Sequence, residues 1–258
     1  MAKKWGKFPH AEKAYAYDAA GLKKHWPRLH KGDCEPFPKD AAVQEAWRHY
    51  HAGEFAQAVD AGAAAGGAGL NVAVKAQVVY ATYLEKSDKA KLALLEEAMG
   101  WAEDRRAEAP KDANAHYFFA FAAGRYGQGI SVGKALAQGL GGKVRDALQA
   151  AMKLEPKHAD AHIAYGSYQA EVIDKVGGLV AGMTYGAKKD SAIEHFETAA
   201  RLFPESPITQ IEHANGLILL FGKSRLNDAT ALYEKAAALK PADAMERLDV
   251  EYAKSELE

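Results

Sequence analysis

Between residues 144 and 241 the apolar positions recur three and four apart, the spacing that places side chains on one face of a helix. Ala192, Phe196 and Ala199 precede Pro204; Ala229, Tyr233 and Ala236 precede Pro241; Val144, Leu148 and Ala151 precede Pro156. In all three the order is small or β-branched, bulky, small, with proline five residues further on. Small residues admit a neighbouring helix closely, and the bulky one fills the space between. Proline cannot continue a helix, so it closes one unit and helps to open the next.

The stretches after the prolines repeat as well. "PKDANAHYFFAFAAGR" begins at Pro110 and "PKHADAHIAYGSYQAE" at Pro156. Ala115, Phe119, Ala120 and Ala123 share one helix face, as do Ala161, Tyr165, Gly166 and Gln169. Both hold a bulky residue followed by Gly or Ala, and after Pro204 the pair His213–Ala214 takes that place. Upstream, "AWRHYHAGEFAQAVDAG" carries a Gly-x-Phe-x-x-Ala turn at Gly53, Phe55 and Ala58. Residues 71–110 read as two helices with a turn near Ser87–Asp88. This signature resembles the tetratricopeptide repeat, a helix–turn–helix unit of about 34 residues. The resemblance implies an all-α fold: a tetratricopeptide-like α-solenoid of four to five helical hairpins in a right-handed superhelix. Residues 1–38 read as an irregular N-terminal arm, 39–240 as the repeats and 241–258 as a C-terminal capping helix. Glu251 at an expected packing position gives that helix a solvent-facing side, which an open array requires.

Pro110, Pro156, Pro204 and Pro241 lie 46, 48 and 37 residues apart. Against a unit of about 34 residues, the first two units carry Gly-rich inserts, at 127–143 and 174–189, each at the turn between paired helices. Within the first, "GQGISVGKA" invites a phosphate-loop reading. That reading fails, because Gln128 stands where the first glycine belongs and Ala135 where a metal-holding hydroxyl belongs. The preceding stretch is also helical in period, where a phosphate loop follows a strand. Both inserts are apolar: Ile130, Val132, Leu136 and Leu140 in one; Val176, Leu179, Val180, Met183 and Tyr185 in the other. Equivalent inserts in adjacent units emerge on one side of a solenoid. They pack on each other or on the helices, or they form a partner, ligand or self-association surface. With the inserts and the "A-x-E-x-F-x-x-A" segment, residues 85–240 resemble the regulator of microtubule dynamics proteins. They also resemble the T component of some tripartite (TRAP) solute transporters. The first likeness implies an interaction or tethering role, the second a trimer with a ligand-sized pore.

Composition narrows the picture. The net charge of -1 supplies no field that would draw the chain onto nucleic acid or anionic lipid. The single cysteine, Cys34, excludes an intramolecular disulfide and suits a reducing compartment. The start "MAKKWGKFPH" has no apolar run after its charges, and "GLILLFG" at 216–222 is far short of a span. A cytoplasmic protein without membrane or nucleic-acid partners is expected.

Candidate chemistry is sparse. His25, His30 and Cys34 match no zinc spacing and lack a fourth ligand, so no metal is assigned. His116 and His162, at equal offsets on a helix-packing position, are read as core histidines. No catalytic set emerges and no cofactor is called for. The unpacked sides of the first helices line a concave groove at Tyr117, Phe121, Ile163, Ser167, Ile211 and Asn215. The expected function is a non-enzymatic scaffold that binds a peptide or protein segment in this groove. The alternative is a small-ligand-binding or transport accessory protein that forms homo-oligomers through its inserts.

Overall fold

The computed structural model describes residues 5–258, and every regular element among them is helical. Helix α1 (Ala19–Leu29) precedes the array. Helices α2 (Ala41–Ala52) and α3 (Phe55–Ala65) form the first hairpin, and α4 (Gly69–Tyr83) and α5 (Asp88–Glu108) the second. In the third, α6 (Ala113–Ile130) is joined through short α7 (Val132–Ala137) to α8 (Leu140–Leu154). In the fourth, α9 (Ala159–Val176) passes through α10 (Gly178–Val180) and a π-helical turn, Ala181–Tyr185, to α11 (Lys189–Leu202). Helices α12 (Pro207–Phe221) and α13 (Leu226–Ala237) complete the fifth, and α14 (Ala244–Ser255) ends the chain.

Pro110, Pro156, Pro204 and Pro241 all lie in the turns between hairpins. The residue two places after each of them is the N-cap of the next helix. Asp112 accepts from the Asn114 amide at 2.9 Å, and His158 Nδ1 from the Ala161 amide at 3.0 Å. Ser206 accepts from the Thr209 amide at 3.4 Å, and Asp243 from the Glu246 amide at 2.9 Å. Each turn therefore pairs a residue that stops one helix with an acceptor that satisfies an orphan amide of the next. At the first hairpin Gly53 adopts φ 81, a left-handed conformation that glycine enters without the Cβ penalty.

The small–bulky–small positions are buried throughout: Ala192, Phe196 and Ala199 have no exposed surface, and Val144, Leu148, Ala151, Ala229, Tyr233 and Ala236 are also in the core. Phe196 shows why glycine is needed. A Cβ on Gly166 of α9 would come within 2.9 Å of its ring, and one on Gly216 of α12 would come closer still. The ring thus fills the crossing inside its own hairpin and the junction to the next one.

The two ends of the array depart from the sequence reading. Residues 19–29 form a helix, so the N-terminal arm is not irregular throughout, and Leu22 and Trp26 are its buried residues. Residues 30–35 thread along the N-terminal ends of α4, α6 and α9, where the Gly32 carbonyl accepts from the Asp160 amide at 3.0 Å. Helix α14 keeps one polar side, where Glu251 pairs with Arg247 and Lys254. Its other side turns inward, burying Leu248, Asp249, Val250 and Ala253. There it meets the beginning of the chain. Arg28 donates to both oxygens of Glu246 at 2.6 and 3.0 Å, and the Tyr17 hydroxyl donates to the Ala242 carbonyl at 2.8 Å. Helix α14 thus ends the array with a polar outer side and lines one side of the concave face with its inner one.

Gly166→Leu is expected to lower unfolding free energy by about 1–3 kcal/mol through overpacking against Phe196. Phe196→Ala should cost about 3–5 kcal/mol through the cavity it leaves. Urea denaturation of both variants, with midpoint and slope compared to the parent, checks this.

Candidate functional site

The threaded arm sets the polar base of the site. Lys75 of α4 donates to Asp33 at 2.6 Å and lies 5.4 Å from the Tyr50 ring centre. Burial opposes ionisation of both groups. Their mutual attraction still holds Asp33 well below the usual carboxylate range and Lys75 above the usual amine range. His30 Nδ1 lies 2.9 Å from Asp33, His30 Nε2 lies 3.2 Å from His51 Nε2, and His51 Nδ1 lies 2.7 Å from Asp243. A continuous chain of polar contacts so links the arm to α14. Burial pushes His30 down to about 4, and Asp243 is held low by His51 although burial opposes it. Deeper in the arm, Glu35 accepts from Asn71 at 3.2 Å and from Asn114 at 2.6 Å, and Asn114 Oδ1 lies 2.9 Å from His158 Nε2. Burial first, then the charges of Asp33 and Asp112, push Glu35 up to about 8.

Above this base lies a cavity of about 180 Å³ inside the ring of first helices. Helix α9 contributes lining residues from Asp160 to Val172, a run of roughly 18 Å at 1.5 Å per residue. The wall toward the inserts is apolar, built by Val132, Leu136, Leu140, Val144 and Leu148. Aromatic rings line it too, among them Tyr50, Tyr83, Tyr117, Phe121 and Phe203. A polar belt crosses the middle. Arg125 of α6 donates to Glu212 of α12 at 2.8 Å, and Ser167 of α9 donates to the other Glu212 oxygen at 2.9 Å. The Gln128 amide donates to Glu171. Burial pushes Glu171 up to about 7, and burial also pushes Asp160 up to about 7. Helix α14 supplies the lid: Asp243, Met245, Glu246 and Asp249 face inward, and Tyr83 donates to Asp249 at 2.6 Å.

Of the groove residues read from sequence, Tyr117, Phe121, Ile163 and Ser167 line this cavity. Asn215 lies in a second depression across the Arg125–Glu212 belt and accepts from the Tyr233 hydroxyl. Ile211 does not face the groove. It is buried with Tyr233 and Ala253, because α13 and α14 cover that side of α12, and Ile208 and Glu212 take the inward positions. Among the insert residues, Val132 and Leu136 line the cavity, while Ile130 and Tyr185 pack at half-burial against the core. The inserts meet where Tyr185 approaches Gly141, 3.5 Å from the position a Cβ would take. Leu179 and Met183 are 78% and 81% exposed, with Val180 beside them. His25 faces solvent, His30 turns into the core and Cys34 contacts the Lys157 carbonyl, so these three do not converge. His116 and His162 are half-buried rather than core residues. Their Nε2 atoms lie 2.9 and 3.3 Å from the carbonyls of Pro110 and Pro156, which ties each first helix to its own turn.

The inward charges escaped the sequence reading. Arg125 lies one turn beyond Phe121 and Glu171 one turn beyond Ser167, so the helical period extends the same face to both. The α14 lid had no such signal, since it depends on where the superhelix brings its ends.

A model of the regulator of microtubule dynamics protein 1–3 family matches residues 72–255, from the second hairpin through α14. The chain belongs to this family. In fold, this family member is similar to a thermophilic tetratricopeptide repeat protein of Thermus thermophilus. The crystal structure of that protein aligns with a TM-score of 0.57, covering 83% of this chain and 97% of that one at 17% identity. A search of the curated proteins returns no match to the chain. No helix among the described residues is long and apolar enough to cross a membrane.

Glu35 generates a pH prediction. Its pKa in the folded state is raised above the unfolded value, so the folded chain holds a proton that the unfolded chain releases. Stability from this group is full below the unfolded carboxylate range and is lost as pH rises toward 8. Between pH 7 and 8 the loss is about 1 kcal/mol, or roughly 2–4 °C in the melting midpoint. Asp160 and Glu171, also raised by burial, add to the fall, so the midpoint should drop across this interval in the parent and drop by about 2–4 °C less in Glu35→Gln, as followed by circular dichroism.

Proposed function

We propose that this protein is a non-enzymatic binding protein whose concave helical surface receives a short partner segment. The observation that carries the reading is the cavity itself. First helices from successive hairpins converge on one space with aromatic walls and oriented polar groups, the make-up of a recognition site. Repeat arrays of this type commonly present their concave surface to other proteins. Closure by α14 narrows the reading: at about 180 Å³ the space suits a side chain or a small molecule, not a length of helix. A partner segment would lie at the rim and insert one anchor.

The size and mixed apolar and polar lining of the cavity also favour the reading of a small-ligand-binding protein. The exposed trio Leu179, Val180 and Met183 on the second insert supports self-association as part of that reading. Homo-oligomers should then appear in sedimentation, and Met183→Glu should return the protein to a monomer. A parent that is monomeric at all concentrations contradicts this second reading.

Ala164 lines the cavity on α9. Ala164→Trp fills the space and should abolish capture of specific partners from native lysate while the helical spectrum is retained. An unchanged set of captured proteins counts against the groove as the binding surface.

A further inference from the structure

The charges around the cavity do not balance. Seven carboxyl groups line it, against two cationic side chains, Lys75 and Arg125. Both cations are committed, Lys75 to Asp33 and Arg125 to Glu212. Arg28 takes Glu246 from outside the cavity, and His51 takes Asp243. Three carboxyl groups remain without a cationic partner in contact: Asp249, which accepts only a tyrosine hydroxyl; Glu171, which accepts only an amide; and Asp160. Asp160 shares the field of Lys75 with Asp33, but Lys75 makes its contact with Asp33. Asp249 is buried, and Asp160 and Glu171 are half-buried; a carboxylate withdrawn from water without a counter-charge costs free energy, and the cost falls when a ligand brings the charge.

A second observation is independent of the acids. Tyr50 and Tyr168 both line the cavity, are 1% and 8% exposed, and have hydroxyls with no hydrogen-bond partner. Buried hydroxyls normally find partners. Lys75, Arg125 and Arg28 already lie over Tyr50, Phe121 and Phe203, and the rings of Tyr83, Tyr117 and Tyr168 add π-faces to the lining, which attract organic cations. The apolar wall at Val132, Leu136 and Leu140 offers burial for an alkyl body.

We propose that the cavity binds a small organic cation: an alkylammonium group seated near Asp160, with its hydrocarbon body along the aromatic and aliphatic walls. This rests on the reading above that the cavity receives a ligand, and it names the ligand's chemistry. Such a group could be carried by a free amine or by a lysine side chain of a partner. The volume, about 180 Å³, is slightly above the roughly 150 Å³ of an apolar cavity that accepts benzene.

Isothermal titration of the full chain with four probes tests the assignment: n-hexylammonium, n-hexanol, hexanoate and Nα-acetyl-lysine-N-methylamide. The ammonium probe should bind about tenfold more tightly than hexanol or hexanoate. Asp160→Asn should weaken hexylammonium by roughly ten- to a hundredfold and leave hexanol unchanged. This variant removes a charge the protein leaves unpaired, so it should melt no lower than the parent. Glu171→Gln, which keeps an acceptor for Gln128, gives a second arm if Asp160→Asn misfolds. Tighter binding of the lysine derivative assigns the cation to a partner's side chain, and tighter binding of hexylammonium assigns it to a free amine; both uphold the ammonium class. Equal binding of the three hexyl probes, or a preference for hexanoate, overturns the cation assignment and leaves the cavity a ligand site. Binding by none of the four overturns the cation assignment and the small-ligand reading together.

Discussion

Contact between the two ends of the chain decides what this array can do. A stack of helical hairpins by itself has an open concave face. Here α14 crosses that face and is held at the start of the chain by the bidentate Arg28–Glu246 pair and by His51 against Asp243. These contacts bridge residues about two hundred positions apart in sequence. Their geometry depends on every intervening hairpin, because each junction adds its own rotation to the superhelix. The crossing at Phe196, between Gly166 and Gly216, is one of the joints that sets this rotation. Local packing therefore controls whether the ends meet, and the meeting of the ends controls whether the interior is a groove or a cavity.

Burying charge inside such a structure is costly unless each charge finds a partner. The arm provides most of the pairing. Asp33 serves Lys75 and His30, while Glu35 stays a largely proton-bearing acceptor between two asparagines. Around the cavity the pairing is incomplete. Paired groups hold the scaffold, and the unpaired carboxyl groups with the unpartnered tyrosines are what remains for a ligand. Under the proposed ligand reading, the same physical rule separates scaffold residues from ligand-facing ones, without any appeal to a catalytic pattern.

Much of the architecture was legible because it is local. The Ala–Phe–Ala spacing before Pro204 places small and bulky residues on one helix face, and no tertiary context is needed to read it. The Gly53 turn and the Ser87 start of α5 were readable for the same reason. Four of six groove positions fell on the cavity wall, since a helical period fixes a face once its register is known. Ile211 failed because the covering of α12 by α13 and α14 is a tertiary event. The N-caps at Asp112, His158, Ser206 and Asp243 stood at one offset from their prolines, a pattern hidden by different side chains doing the same task. The path of residues 30–35 and the inward turn of α14 left no local trace at all.

Closure can be measured in solution as a distance. Lys24 on α1 and Lys254 on α14 are both exposed and carry spin labels once Cys34 is replaced by serine and each lysine by cysteine. Double electron–electron resonance should return one narrow distance distribution, short enough for the two ends to be in contact. A broad distribution, or a dominant long distance typical of an open superhelix, would contradict the end-to-end contact and the cavity that depends on it.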